Sequence, residues 1–111
     1  MAQVKEIGLE DSGKLVAEGK AVFVWVLGPV NERLVADTLG IGEEELLVLA
    51  PMEVISSKKP ADLFGGRIPV FVCRHGNTSK VVASFTMDKG LDCYSLVGGV
   101  TKYNRSLEGL L

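Results

Sequence analysis

The sequence has few of the residues that build metal sites and disulfide frameworks. Its 111 residues include two cysteines, Cys73 and Cys93, and one histidine, His75. A structural zinc ion needs about four Cys or His ligands, and small disulfide-stabilised domains carry several cysteine pairs. The sequence therefore excludes structural zinc and a disulfide framework, and we predict no metal and no cofactor.

Strong charge and long apolar runs are also missing. The formal net charge is -2, so there is no excess of basic residues to attract nucleic acid or an anionic membrane surface. The longest uninterrupted apolar run, residues 21–27, is far shorter than the ~20 residues of a membrane-spanning helix. Residues 1–6 do not show the basic region and apolar core of a secretory signal. We therefore expect a cytoplasmic protein that binds neither nucleic acid nor membranes.

The chain contains enough apolar residues, 47%, to form the core of one domain. Apolar runs at residues 21–27, 46–49 and 68–72, together with the segments 4–7 and 92–97, predict five strands. Helical spacing and end signals predict helices from Leu9 to about Gly19, over 32–39 and over 78–89, helical turns within 59–66, and a short terminal helix containing Tyr103, Leu107 and Leu110. Residues 52–57 are interpreted as either extended chain or loop.

Strands that alternate with helices predict an α/β fold. The expected architecture is a mainly parallel five-stranded sheet with helices on both faces. In such sheets, ligands bind at the carboxyl ends of the strands. Cys73 follows the strand predicted at 68–72 and therefore lies at this edge.

Cys73 is also close to the start of a predicted helix. Between them lies a polar turn in which Gly76 and Asn77 are turn formers. The unpaired N–H groups and the dipole at a helix N-terminus favour negative charge. A thiolate at Cys73 would be stabilised there, which makes this residue a candidate nucleophile.

Residues 72–80, together with Gly98-Gly99 and the aromatic Tyr103 further along the chain, resemble the C-terminal half of a rhodanese domain. The pattern is similar to that of small single-domain thiosulfate sulfurtransferases. In that family a cysteine opens a six-residue loop, here residues 73–78, and a Gly-Gly pair leads into the last helix. The resemblance implies that residues 1–111 form a single rhodanese-like domain.

The resemblance also implies a reaction. Cys73 would take a sulfane sulfur from thiosulfate or a persulfide donor, hold it as a persulfide, and pass it to a thiol, to cyanide or to a sulfur-relay protein. The loop N–H groups would stabilise the anionic sulfur, and Arg74 and Lys80 would supply positive charge near the donor. The predicted substrate-binding or anion-stabilising residues are Arg74, His75, Gly76, Asn77, Thr78, Ser79 and Lys80.

The N-terminal half departs from the family pattern. The family usually has Asp-x-Arg after its second strand, where this chain has Trp25-Val26-Leu27. The family also has a later Gly-His-Ile-Pro-Gly-Ala turn, and residues 35–40 of this chain lack that motif. The alternative function is therefore a non-catalytic persulfide carrier or a rhodanese-like protein-binding module.

Several single residues have other possible interpretations. A Cys-x5-Arg phosphatase would need arginine at position 79, where this chain has Ser79, so phosphatase activity is disfavoured. Cys93, within a predicted strand, is interpreted as a core residue rather than a resolving thiol. Trp25 is also expected in the core. Residues 43–45, three consecutive glutamates, are interpreted as a solvated turn rather than a metal site.

Overall fold

The protein folds around one five-stranded sheet. Its structure, a computed structural model, describes residues 3–28, 30–105 and 107. The strands are β1 (Glu6–Ile7), β2 (Ala21–Trp25), β3 (Leu47–Val48), β4 (Ile68–Val72) and β5 (Tyr94–Leu96). They are arranged in the order β1-β5-β4-β2-β3, and every pairing among the described residues is parallel. The predicted α/β fold with a parallel five-stranded sheet is confirmed.

Helices cover both faces of this sheet. They are α1 (Leu9–Ala17), α2 (Glu32–Leu39), α3 (Pro51–Ile55) and α4 (Asn77–Asp88), with short 3-10 turns at Glu43–Glu45, Pro60–Leu63 and Val100–Lys102. The helices α1 and α2 pack into the core on one face, and α3 and α4 into the core on the other. No helix in the described part of the chain has the length and apolarity needed to span a membrane.

The two central strands supply side chains to both cores. All five residues of β2 are buried, and β2 pairs residue for residue with β4. Phe23 and Trp25 belong to the core beneath α1 and α2, whereas Val22 and Val24 belong to the core beneath α3 and α4. A strand that is covered on both faces needs apolar residues at successive positions, which explains the continuous run in the sequence. The prediction that Trp25 is a core residue is confirmed.

The prediction for residues 52–57 was wrong, because most of that segment forms α3. Proline is favoured at the first position of a helix, where its missing N–H costs nothing, and Pro51 occupies that position. The carboxylate of Glu53 accepts a hydrogen bond from the backbone N–H of Ala50 at 3.0 Å, which satisfies one donor at the helix end. Both signals lie at the start of the segment and favour a helix there.

The predicted terminal helix is a 3-10 turn over Val100–Lys102 in the described part of the chain. Tyr103 follows this turn, and Leu107 is buried in the core. Leu110 lies outside the described residues. The phenolic oxygen of Tyr103 accepts a hydrogen bond from the backbone N–H of Leu9 at 3.2 Å. This contact satisfies a donor at the start of α1, where the N-cap Gly8 has no side chain to do so.

We expect Tyr103→Phe to lower the free energy of unfolding by about 1 kcal/mol, because it removes that acceptor and keeps the ring. Urea unfolding followed by circular dichroism measures the change. Tyr94→Phe is the matched control, because Tyr94 packs against the same core. Equal stability of Tyr103→Phe and the wild type would contradict the capping role of the hydroxyl.

Candidate active site

The site lies at the carboxyl edge of the sheet, where β4 and β5 end side by side. These two strands are paired, with Val70 opposite Tyr94 and Phe71 opposite Ser95. Cys73 comes directly after β4, and Gly98-Gly99 follows β5. The parallel topology therefore brings Cys73 close to Gly98-Gly99, which lies 25 residues further along the sequence.

The thiol of Cys73 lies at the N-terminal end of α4. Its sulfur accepts hydrogen bonds from the backbone N–H of Gly76 at 3.1 Å and of Ser79 at 3.3 Å. Ser79 is in the first turn of α4, so its N–H is one of the donors that the helix itself cannot satisfy. Cys73 is only 2% exposed, which keeps these interactions largely away from water. The arrangement favours a negatively charged sulfur at this position.

Gly76 allows the loop to approach the neighbouring Gly-Gly turn. It adopts a left-handed conformation with φ of 90°, which residues with a side chain rarely adopt. A Cβ atom at this position would lie 3.2 Å from the backbone nitrogen of Gly98 and 3.3 Å from that of Gly99. Both the backbone conformation and the limited space therefore favour glycine.

The residues after the Gly-Gly pair hold the first carbonyl groups of the loop. The N–H of Val100 donates to the Cys73 carbonyl at 3.0 Å. The N–H of Thr101 donates to the Arg74 carbonyl at 3.2 Å, and the Thr101 hydroxyl donates to the same oxygen at 2.8 Å. Thr101 was not predicted as a site residue; its position directly after Gly98-Gly99-Val100 is the only sequence signal for this role.

Thr101 also contacts the side chain of His75. Its oxygen is 3.0 Å from Nδ1 of His75. Because the single hydroxyl hydrogen of Thr101 donates to the Arg74 carbonyl, Nδ1 must carry a hydrogen and donate to Thr101. The ring of His75 is exposed, so this contact orients it at the surface of the loop.

Arg74 and Lys80 have different surroundings. Arg74 is partly buried, and its Nε atom is buried without a hydrogen-bond partner among the described residues. The exposed Lys80 forms an ion pair with Glu6 of β1, with 2.9 Å between Nζ and Oε1. Of the remaining predicted residues, Asn77 is exposed and Thr78 is partly buried, both at the start of α4.

Two buried serines extend the polar contacts of the thiol into the protein. The Oγ atom of Ser79 is 3.3 Å from the sulfur of Cys73 and 2.7 Å from Oγ of Ser95. Ser79 and Ser95 are both fully buried. Ser95 belongs to β5 and was not among the predicted residues. A serine between Tyr94 and Leu96 in an apolar strand is the sequence signal that could have indicated it.

The second cysteine belongs to the core, as predicted. Cys93 is 1% exposed, and its thiol donates to the carbonyl of Ala83 at 3.4 Å. Burial raises the pKa of the Cys93 thiol to about 12, and the nearby charge of Asp92 also raises it.

The described residues include no cluster of His, Cys, Asp and Glu that could hold a metal ion. The exposed glutamates at 43–45 form a 3-10 turn, in line with their interpretation as a solvated segment.

We expect Cys93 in the folded protein to react negligibly with iodoacetamide at mildly alkaline pH, because its thiol stays protonated. The raised pKa also means that Cys93 stabilises the fold below its ordinary pKa of about 9 and that this contribution is lost as the pH rises toward about 12. Intact mass after labelling of a Cys73→Ser variant measures the reactivity. Rapid labelling without denaturant would contradict the expectation, and full labelling in urea is the positive control.

Several solved structures have a similar fold. A rhodanese-related protein from Thermoplasma volcanium is 17% identical, with a TM-score of 0.66 and 92% of each chain covered. The reduced CoADR-RHD of Bacillus anthracis is 18% identical with a TM-score of 0.69, and the match covers 96% of this chain and 17% of that one. A rhodanese homolog from Thermus thermophilus is 19% identical with a TM-score of 0.55, and 86% of this chain and 96% of that chain are covered.

Together these similarities show that the chain has a rhodanese-like fold, as its loop and Gly-Gly motifs predicted. No protein-family model matches the sequence, and no curated protein matches it. At these identities the similarity concerns the fold alone. The evidence on function lies in the residues of this chain.

Proposed function

We propose that this protein is a sulfurtransferase that carries a sulfane sulfur as a persulfide on Cys73. The observation that supports this most directly is the environment of the Cys73 sulfur. Two backbone N–H groups, from Gly76 and Ser79, donate to it at the N-terminus of α4. Such a position suits a sulfur atom that is negatively charged both before and after it accepts a second sulfur.

The proposed first step is attack of the Cys73 thiolate on the outer sulfur of thiosulfate. A new S–S bond forms to Cys73, the S–S bond within thiosulfate breaks, and its electron pair leaves with sulfite. One thiolate and one thiosulfate dianion give one persulfide anion and one sulfite dianion, so charge and atoms balance. In the second step an acceptor such as cyanide attacks the terminal sulfur, forms thiocyanate and restores the thiolate.

The loop residues have separate roles in this proposal. The N–H groups of Gly76 and Ser79 hold the anionic sulfur. The buried Nε–H of Arg74 has no hydrogen-bond partner among the described residues. In this proposal it donates a hydrogen bond to the sulfonate of thiosulfate, or to the anionic group of a different sulfur-donating substrate. Thr101 keeps the Arg74 carbonyl and the His75 ring in place. Lys80 contributes positive charge from the first turn of α4, where Glu6 partly neutralises it.

A second function, a persulfide carrier that does not turn over rapidly, is favoured by two residues of the N-terminal half. At the positions where the family usually has Asp and Arg, this chain has the buried Trp25, 1% exposed, and the exposed Leu27. Neither side chain can pair with a substrate anion. The carrier would form the same Cys73 persulfide and deliver it to a partner protein.

Intact mass spectrometry combined with a turnover assay tests both functions. The protein is mixed with thiosulfate, and its mass is recorded before and after cyanide is added. Gain of one sulfur atom that cyanide rapidly removes as thiocyanate supports the sulfurtransferase. Gain of one sulfur that cyanide removes only slowly supports the carrier. No sulfur uptake from thiosulfate or from glutathione persulfide would overturn both functions.

A further inference from the structure

The side chains of Ser79 and Ser95 form a polar pair inside an otherwise apolar layer. Ser79 is on α4 and Ser95 is on β5, and the neighbours of Ser95, Tyr94 and Leu96, belong to the core on the opposite face of the sheet. Ser95 therefore points toward α4, where the surrounding core consists of residues such as Phe71 and Val82. A buried hydroxyl is costly unless it is hydrogen-bonded, and each serine here satisfies the other.

The number of hydrogens in this group depends on the state of Cys73. When Cys73 is a thiol, its S–H donates to Oγ of Ser79, and the hydroxyl of Ser79 can donate to Ser95. When Cys73 is a thiolate, the sulfur can only accept, so the hydroxyl of Ser79 must turn toward it. The oxygen of Ser79 then accepts the hydrogen of Ser95. Both hydroxyl hydrogens stay on their own oxygens, and the thiol proton leaves to solvent.

We propose that Ser95 is a positioning residue for sulfur transfer, which acts on the anionic sulfur of Cys73 through Ser79. Ser95 donates to Ser79 when the Ser79 hydroxyl donates to the sulfur, and it accepts from Ser79 when the sulfur is a neutral thiol. The two-way contact at 2.7 Å keeps the two serines hydrogen-bonded to each other in both charge states of the sulfur. This inference deepens the proposed sulfurtransferase function and rests on it.

Alkylation of Cys73 tests the role of Ser95 without requiring sulfur transfer. The rate of iodoacetamide addition is measured against pH for the wild type, Ser95→Ala and Ser84→Ala, with peptide mapping to assign the site. Ser84 is the matched control because it is another buried serine, on α4, and has no hydrogen bond to Cys73 or Ser79 in the described structure. The charged loop residues are unchanged, so the comparison isolates the hydroxyl.

For Ser95→Ala we expect the rate on the rising, low-pH part of the profile to fall about tenfold, while the plateau at high pH stays equal to that of the wild type. A loss of rate that is confined to low pH indicates a smaller thiolate fraction at Cys73, whereas reduced access of iodoacetamide to the sulfur would lower the rate at every pH. Ser84→Ala should match the wild type over the whole range. An unchanged rate for Ser95→Ala on the low-pH part of the profile, or an equal drop at all pH values, would overturn the proposal.

A double-mutant cycle shows whether Ser95 acts through Ser79. If it does, adding Ser95→Ala to Ser79→Ala has little further effect on the alkylation rate. Additive effects would contradict the route through Ser79. The same variants are then tested for sulfur uptake from thiosulfate. If the wild type takes up no sulfur but the alkylation results are as expected, the sulfurtransferase function fails while the positioning of the Cys73 sulfur by Ser95 stands.

Discussion

Cys73→Ser is expected to lower thiosulfate-to-cyanide turnover by about a thousandfold or more and to abolish sulfur uptake. A serine hydroxyl is almost entirely protonated at neutral pH, and it cannot form the S–S bond on which the reaction depends. The substitution should leave the fold intact, because serine is close to cysteine in size. The N–H groups of Gly76 and Ser79, which donate to the sulfur in the wild type, can also donate to a hydroxyl oxygen.

The matched control is Cys93→Ser, which changes the other buried thiol. Cys93 contacts the Ala83 carbonyl in the core beneath α4, and the proposed reaction does not use it. Initial rates of thiocyanate formation and intact masses after thiosulfate treatment are measured for both variants. The assignment of the nucleophile is wrong if Cys73→Ser retains turnover, or if the sulfur in the wild type is mapped to Cys93.

The sequence was most informative where local pattern and burial agree. Bounds of 32–39 for α2 and 68–72 for β4 were predicted as the structure has them. In α2, Asn31 caps the first turn, with its Oδ1 accepting from Leu34 N–H at 3.2 Å, and glycine follows the last residue. The strand β2 ends two residues earlier than predicted, at Trp25, because the apolar run continues beyond the paired residues.

Contacts between distant residues could not be predicted in the same way. The position of Cys73 at the end of a strand was evident from the sequence, whereas the contact between Ser79 and Ser95 depends on the pairing of β4 with β5. The three hydrogen bonds from Val100 and Thr101 to the loop likewise depend on how the Gly-Gly turn packs. A residue type and its spacing do not specify such geometry, because each contact requires the sheet order and the helix position together.

Gly99→Ala is expected to lower the free energy of unfolding by about 2 kcal/mol or more and to remove most sulfur transfer. Gly99 has φ of 66° and ψ of -171°, a conformation open essentially only to glycine. A Cβ atom there would lie 2.6 Å from the Cys73 carbonyl oxygen and would also overlap the carbonyl group of Arg74. Both carbonyl groups are fixed backbone, so the Cys73 loop and the Gly-Gly turn must move apart.

The movement would weaken the hydrogen bonds that the backbone N–H groups of Val100 and Thr101 donate to the loop. These bonds are 3.0 and 3.2 Å long.

The matched control is Gly13→Ala in α1, where a Cβ atom meets nothing within 4 Å and where alanine should stabilise the helix by about 1 kcal/mol. Urea unfolding gives the stabilities, and thiocyanate formation per folded molecule gives the activity. Wild-type stability and turnover in Gly99→Ala would show that close contact between the Gly-Gly turn and the loop is not required. A loss of turnover larger than the loss of folded protein would show that this contact sets the position of the Cys73 sulfur.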